Sequence, residues 1–222
     1  MLFAAGFGTR MRPLTDARPK PLIEMGGATL LDRTLALTQA IGPARTVVNA
    51  HFLGEQIIAH LHGKNVAVSL EQGRILDTGG GLKAALPILG GEIVITTNTD
   101  AVWRGPNPFE VLLSHWNPAR MDALLLCVAL PNAVGRDAPG DFTLDTTGRL
   151  TRGGPTVYTG VQIVKTPAIA AHPGDVFSLN AIWDTWIAAG RAYGLLYPGT
   201  WCDVGRPDGI ALAEAVLEGR DV

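Results

Sequence analysis

The sequence predicts an α/β fold: a single doubly wound, mostly parallel sheet, covered by helices on both faces, with a small β insertion. Three observations carry that expectation. Short apolar strands alternate with amphipathic helices along most of the 222 residues. The first strand runs straight into a glycine-containing loop, and 47% hydrophobic residues give a chain of this length the apolar surface for one large core.

Taken in order, "MLFA" at residues 1–4 is a strand and "LLDRTLALTQAI" at 30–41 has helical periodicity. Strand "RTVVNAH" (45–51), helix "GEQIIAHLH" (54–62) and strand "VAVSLE" (66–71) follow. The rhythm continues through helix "GGLKAALPIL" (80–89), strand "EIVITTN" (92–98), helix "PFEVLLSHW" (108–116) and strand "DALLLCVAL" (122–130). It then changes. "DFTLDTTGRLT" (141–151) has the pattern of a hairpin turning at Thr147 and Gly148, and "TVYTGVQIV" (156–164) is a further strand. Residues from about 131 to 165 are therefore expected to form an insertion with edge strands, a lid over a ligand. Helix "LNAIWDTWIAAG" (179–190), strand "AYGLLYP" (192–198), segment "WCDVGRP" (201–207) and helix "DGIALAEAVLEG" (208–219) complete the chain. With no linker, repeat or low-complexity run, one domain over 1–222 is expected.

A net charge of -2 and a pI near 6.2 argue against a broad surface for nucleic acid or anionic membrane, which needs clustered excess cations. No apolar run approaches the ~20 residues of a membrane span, and "MLFAAGF" lacks a cationic leader. Cys127 and Cys202 lie far apart without CxxC spacing, so a reduced, cytoplasmic protein is expected. The first strand starts almost at Met1, which leaves room for natural residues ahead of it. Monomer and homodimer both remain open.

A glycine loop after a strand is where α/β folds take phosphate, because backbone N–H groups can approach anionic oxygens there. In "LFAAGFGTRMRPLTDARPKPL" the dinucleotide pattern GxGxxG fails at Met11, and no GK[ST] ending marks a P-loop. Taken alone, "GFGTR" also suits a tight turn with solvated arginines. Pro13, Pro19 and Pro21 stiffen the stretch, however, and hold the cations of Arg10 and Lys20 in place. Preorganised positive charge suits a triphosphate.

"LFAAGFGTRMRPLT" followed by "PKPL" resembles the signature of the sugar-1-phosphate nucleotidyltransferases, and other segments resemble that family in order. "LDTGGGLKAAL" resembles its second nucleotide loop, "VITTNTDAVW" a strand leading to a metal-binding aspartate, and "YTGVQIV" and "WCDVGRP" its sugar-side strand and second metal aspartate. The resemblance implies a Rossmann-like fold of the nucleotide-diphospho-sugar transferase type. It implies that Ala4, Ala5, Gly6, Gly8 and Thr9 face the nucleotide, with Glu71, Thr78 and Gly79 at the base, and that Arg10 and Lys20 are catalytic. Gly80, Thr159, Gly160 and Asn180 are implied on the sugar side, and Asp100 and Asp203 as ligands of Mg2+. In isolation Asp100 also suits a cap after a strand, Asp203 a turn before Gly205, and the "TGGG" triplet a glycine-rich helix start. His51, His60, His62, His115 and His172 form no ligand spacing, and Trp183 and Trp186 suit a core face better than a sugar platform.

The implied substrates are a nucleoside triphosphate and a sugar 1-phosphate. The "TGGG" triplet, the short length and the lack of a hexapeptide β-helix bring the chain nearest to members that use UTP and N-acetylmuramate 1-phosphate. A mannose- or glucose-1-phosphate enzyme using GTP or another triphosphate is the alternative, and a catalytically inactive sugar-nucleotide-binding regulatory subunit is the alternative of another class. Two departures stand out. Thr99 replaces a glycine common before the metal aspartate, and "RLTRGGPTVYTG" lacks the Glu-Lys-Pro whose lysine binds the sugar phosphate in many relatives.

Overall fold

The alternating pattern resolves, in a computed structural model describing residues 1–220, into a nine-stranded sheet. Seven strands form its body: β1 (Leu2–Phe3), β2 (Val47–Ala50), β3 (Ala67–Leu70), β4 (Ile93–Asn98), β5 (Ala123–Ala129), β6 (Thr156–Lys165) and β7 (Ala192–Leu196). Their spatial order is β3, β2, β1, β4, β6, β5, β7, and only β6 runs antiparallel to its neighbours. The expected doubly wound sheet is thus present.

The helices are α1 (Leu30–Ala40), α2 (Gly54–Leu61), α3 (Asp77–Leu89), α4 (Pro108–His115), α5 (Pro167–Ala170), α6 (Leu179–Ala188) and α7 (Asp208–Leu217). Side chains along β5 divide with period two. Leu124 and Leu126 pack with Phe109 and Leu112 of α4, while Leu125 and Cys127 pack with Leu82 of α3 and Trp183 of α6. Both faces are therefore covered, which is why β5 reads as a continuous apolar run. Trp183 and Trp186 are core residues, as expected, and the Trp183 indole donates to Gln162 Oε1 at 2.9 Å.

One expectation needs correction. The stretch assigned to an edge insertion contains β6, which lies inside the sheet between β4 and β5. Eight of its ten residues are buried, and a strand so buried on both faces belongs in an interior position. Only the hairpin of Phe142–Leu144 and Leu150–Arg152 extends the sheet, pairing with the start of β6 just past the end of β4. Its turn falls at Thr147 and Gly148, where Asp145 Oδ1 accepts the Thr147 amide at 2.7 Å and Gly148 has φ +85°.

The opposite end of the sheet is tied by Asp122, which sits just before β5. Arg191, just before β7, donates two hydrogen bonds of 2.9 Å to its carboxylate, and Lys165, at the end of β6, donates one of 2.8 Å. The Arg191 bonds, reinforced by Lys165, hold the Asp122 carboxyl down at about 2, below its ordinary 3.8. A depressed carboxylate contributes stability above the unfolded-state pKa and loses it as pH falls through the folded value; the difference here corresponds to about 2 kcal/mol. Asp122→Asn is expected to lose about that much at pH 7. Urea midpoints of variant and parent should converge between pH 4 and pH 2, and a gap independent of pH would disprove the assignment.

A second sheet was not legible as strands. Thr200–Asp203 lies between Ala101–Arg104, antiparallel, and Ala133–Val134, parallel, and α7 packs on it through Ala213 and Val216 against Val102 and Cys202. This small sheet brings the end of the chain back to the residues that follow β4.

Candidate active site

The carboxyl ends of β1, β2 and β4 open into a cleft of about 530 Å³. Ala4, Ala5, Gly6, Gly8, Thr9, Arg10, Lys20, Glu71, Thr78 and Asp100 line it, and Asp203 does not, although its neighbour Gly205 does. Sequence reading missed Asn49, Asn98, Ile75, Asp77 and Val176, which line it too. Of these, Asn49 and Asn98 could have been found as polar residues ending apolar strands.

The opening loop is held in shape from behind. Asn49 Oδ1 accepts the Ala4 amide at 2.7 Å, and the Thr15 hydroxyl donates to the Gly8 carbonyl at 2.8 Å. Gly8 has φ +62°, and a Cβ there would lie 3.0 Å from Thr15 and 3.1 Å from Lys20, so this glycine serves the turn. Gly6 is different. A Cβ at Gly6 would have no protein atom within 4 Å, which leaves its backbone open to the cleft.

Lys20 leaves the proline-rich stretch in a 3₁₀ turn, Lys20–Leu22, and is only 9% exposed. Its Nζ donates to Asp100 Oδ2 at 2.7 Å. Thr99, just before that aspartate, donates its hydroxyl to the Phe3 carbonyl at 2.8 Å, so the departure from glycine ties the end of β4 to β1. Asp203 arrives through the second sheet, where it faces Ala101 and the Val204 amide donates to the Asp100 carbonyl at 2.9 Å. Burial, then the neighbouring Asp100 carboxylate, push the Asp203 carboxyl above its ordinary range, against the pull of Lys20, Arg10 and Arg136. A Cβ at Gly205, which lines the cleft, would lie 2.8 Å from Asp203 Oδ2 and 3.1 Å from Arg10 Nη1, so Asp203 and Arg10 are neighbours at its edge. Arg10 makes no hydrogen bond or ion pair among the described residues.

The glycine triplet turns out to be internal packing. The amides of Gly79 and Gly80 both donate to the Phe177 carbonyl, at 2.9 and 3.0 Å, and so are taken up within the fold. Cβ atoms there would lie 2.4 Å from the Phe177 ring and 2.0 Å from the Asp175 carbonyl oxygen, and one at Gly81 would lie 2.6 Å from Glu71 Oε1. These glycines let α3 press against residues 175–177. Glu71, 4% exposed, spends its carboxylate on Asn49 Nδ2 at 2.7 Å and the Leu76 amide at 2.8 Å, and so positions the wall it belongs to.

Of the expected sugar-side residues, Thr159 is buried and donates its hydroxyl to the Leu126 carbonyl at 2.8 Å. Gly160 has φ +87° in the irregular part of β6 and packs on Asn98, and Asn180 bonds Ser178 at the exposed start of α6. Gly79, Gly80, Thr159, Gly160 and Asn180 do not line this cleft, and the contacts the structure gives them are local.

The contrast between glycines is testable. Gly80→Ala should cost about 1–3 kcal/mol through overpacking, read as a lowered urea midpoint. Gly6→Ala should leave stability within about 0.5 kcal/mol and weaken binding of a nucleoside triphosphate about tenfold by calorimetry. A destabilised Gly6→Ala protein, or one binding the triphosphate normally, would show that the open space is not a ligand's.

The model of the MobA-like NTP transferase domain matches residues 1–138. The N-acetylmuramate α-1-phosphate uridylyltransferase of Caulobacter vibrioides is 36% identical over 98% of this chain and 96% of its own. The chain belongs to the sugar-1-phosphate nucleotidyltransferase family. The corresponding transferase of Neisseria meningitidis is 32% identical, with 92% of each chain covered. The fold of this transferase also matches HddC from Yersinia pseudotuberculosis, solved in complex with GMP-PN, at a TM-score of 0.78 and 20% identity over 97% of both chains.

Both thiols of the transferase are free and buried, and burial pushes Cys127 and Cys202 up to about 12, so neither suits a nucleophile. No cluster of three or more His, Cys, Asp or Glu side chains suited to a metal occurs among the described residues. What the transferase offers a cation is the Asp100 and Asp203 pair. Their hard oxygen donors suit the chemistry of a divalent ion such as magnesium, which commonly takes one or two carboxylates and fills its other positions with phosphate and water.

Proposed function

We propose that this enzyme transfers uridylyl from UTP to N-acetylmuramate 1-phosphate, releasing pyrophosphate. The carrying observation is that Arg10, Lys20 and Asp100 line one cleft with the open backbone of Gly6, and that Asp203 adjoins it, a Cβ at the lining residue Gly205 lying 2.8 Å from Asp203 Oδ2 and 3.1 Å from Arg10 Nη1. The choice of UTP and of this sugar follows the relatives that align along nearly the whole chain.

An oxygen of the sugar phosphate attacks the α-phosphorus of UTP, the bond from that phosphorus to the bridging oxygen breaks, and pyrophosphate departs with the electron pair. A phosphate monoester with second pKa near ~6 is largely dianionic at neutral pH, so the attack needs no strong general base. The protein's task is alignment and charge screening. The Gly6 to Thr9 backbone accepts the triphosphate, Arg10 meets the charge growing on pyrophosphate, and Lys20 moves between Asp100 and the phosphates near the α-phosphorus. Magnesium, held by Asp100 and Asp203, would neutralise triphosphate oxygens.

N-acetylmuramate is a cell-wall sugar, so the product would return it to peptidoglycan synthesis as a recycling step. The reading places the enzyme in the cytoplasm, in keeping with its free cysteines. No described helix is long and apolar enough to cross a membrane.

The test is a pyrophosphate-release screen of four nucleoside triphosphates against several sugar 1-phosphates, with and without magnesium. UTP with N-acetylmuramate 1-phosphate should turn over fastest, and only with the metal. Preference for GTP with mannose 1-phosphate would overturn the substrate assignment, and UTP binding without turnover on any sugar would establish the inactive regulatory class.

A further inference from the structure

The cations of the opening loop serve the triphosphate, which leaves the anionic second substrate without a partner. Arg152, beside the glycines that stand in place of the missing lysine, is engaged elsewhere: its guanidinium bonds Asp184 at 2.8 Å and lies over the rings of Phe142 and Trp183. Lys83 donates to the carbonyls of His172 and Gly174, and Arg206 is exposed and pairs with Asp137.

Arg136 is placed differently. The pairing of Ala133–Val134 with Trp201–Cys202 carries the chain alongside Asp203, and a Cβ at Gly135 (φ +74°) would lie 2.6 Å from the Asp203 carbonyl oxygen. The next residue, Arg136, therefore leaves this strand beside the backbone of the metal-side aspartate. Its side chain is 23% exposed. One Nη2 donates to Asp141 Oδ1 at 2.7 Å and, more weakly, to the Pro139 carbonyl at 3.4 Å. Its Nε is buried with no acceptor, the one charged side chain with such an orphan among the described residues. A buried donor without a partner is uncommon and calls for one.

Asp141 fixes the aim. Its Oδ2 accepts the Tyr158 amide at 2.8 Å, its own amide bonds the Thr156 carbonyl at 2.6 Å, and its carbonyl accepts the Gly153 amide at 2.8 Å. Arg136 is thus tied through Asp141 to the start of β6 and to Gly153 of the "RGG" segment that lacks a lysine, while its own loop follows the strand paired with Trp201–Cys202, next to Asp203.

We propose that Arg136 binds the phosphate of the sugar 1-phosphate, supplying from the loop after Ala133–Val134 the cation that the segment before β6 lacks. A planar guanidinium suits the phosphate because it offers several N–H groups in a fixed fork. Its position beside Asp203, where the attacking oxygen has to arrive, assigns it to the phosphate rather than to the carboxylate that N-acetylmuramate also carries. The inference rests on the nucleotidyl-transfer reading above.

Arg136→Met and Arg136→Lys in the full chain test it, after turnover of the parent with a sugar 1-phosphate has been established. If the parent turns over no sugar 1-phosphate, the reaction itself is refuted, which is separate from a failure of Arg136. With an active parent, Arg136→Met should raise the KM for sugar 1-phosphate at least tenfold and leave the KM for UTP within twofold, with Arg136→Lys in between. Binding of free N-acetylmuramate, measured by calorimetry, should not change. An unchanged sugar 1-phosphate KM would overturn the proposal, as would an equal rise in the UTP KM, which marks a structural role. Equal loss of binding for free N-acetylmuramate would give Arg136 to the sugar carboxylate instead.

Discussion

Lys20→Ala is expected to lower turnover at least a thousandfold, about 4 kcal/mol of barrier, in a protein that still folds. The Lys20 amine is the one cation of the cleft already bonded to a catalytic-site carboxylate, at 2.7 Å from Asp100 Oδ2, and it is nearly buried. Without it Asp100 loses its counter-ion, and on the proposed mechanism the phosphates lose their donor near the reacting phosphorus. The loss should fall on kcat rather than on the KM for UTP, because the charge matters most as negative charge shifts toward pyrophosphate. The stability cost should stay near 1 kcal/mol, since the Asp100 side chain is 26% exposed and water can replace part of what the amine provided. Lys20→Met keeps most of the stem that packs near Gly8 and should be equally inactive, which separates charge from packing. A loss of less than about tenfold would leave Lys20 as a counter-ion of Asp100 and nothing more.

The fold was legible where one period dominates. The apolar runs of β2, β4 and β5 and the helical spacing of α1, α3 and α6 left little freedom, because each can bury its apolar residues in only one way. β6 was located correctly but assigned to the edge, since a strand flanked by a hairpin looks like a meander until its burial on both faces is known. The small second sheet escaped because Ala133–Val134 and Ala101–Arg104 are too short for a period, and their pairing with Thr200–Asp203 joins segments far apart in sequence. The cleft was legible for a local reason: most of its cations and glycines lie in one continuous stretch. The glycine triplet misled because sequence shows that a side chain is missing, not what fills the space, and here the filler is Phe177, Asp175 and Glu71. Arg136 was invisible for the converse reason, being an ordinary arginine in a loop whose partners, Asp141 and Asp203, come from other parts of the chain.

Asp203→Asn is expected to separate stability from activity in opposite directions. Asp100 has its own counter-ion in Lys20, whereas Asp203, half-buried, forms no ion pair among the described residues and has the Asp100 carboxylate as neighbour. Such a carboxylate, raised above its ordinary range, costs stability above its folded-state pKa, and that cost disappears below the unfolded-state pKa. Replacing it by the isosteric amide removes the buried charge and its repulsion by Asp100, and leaves the backbone pairing of Thr200–Asp203 in place. In metal-free buffer at pH 7 the variant should be more stable than the parent, read as a raised Tm. Turnover should fall at least a thousandfold, because an amide is a poor partner for a hard divalent ion and the triphosphate loses its charge screening. Asp100→Asn should be equally inactive without the gain, since it strands the Lys20 amine. If Asp203→Asn were destabilised in metal-free buffer, the strain between the two carboxylates would be absent. If instead it kept magnesium-dependent turnover within tenfold of the parent, Asp203 would hold no metal, and the charge built up around it would belong to the fold alone.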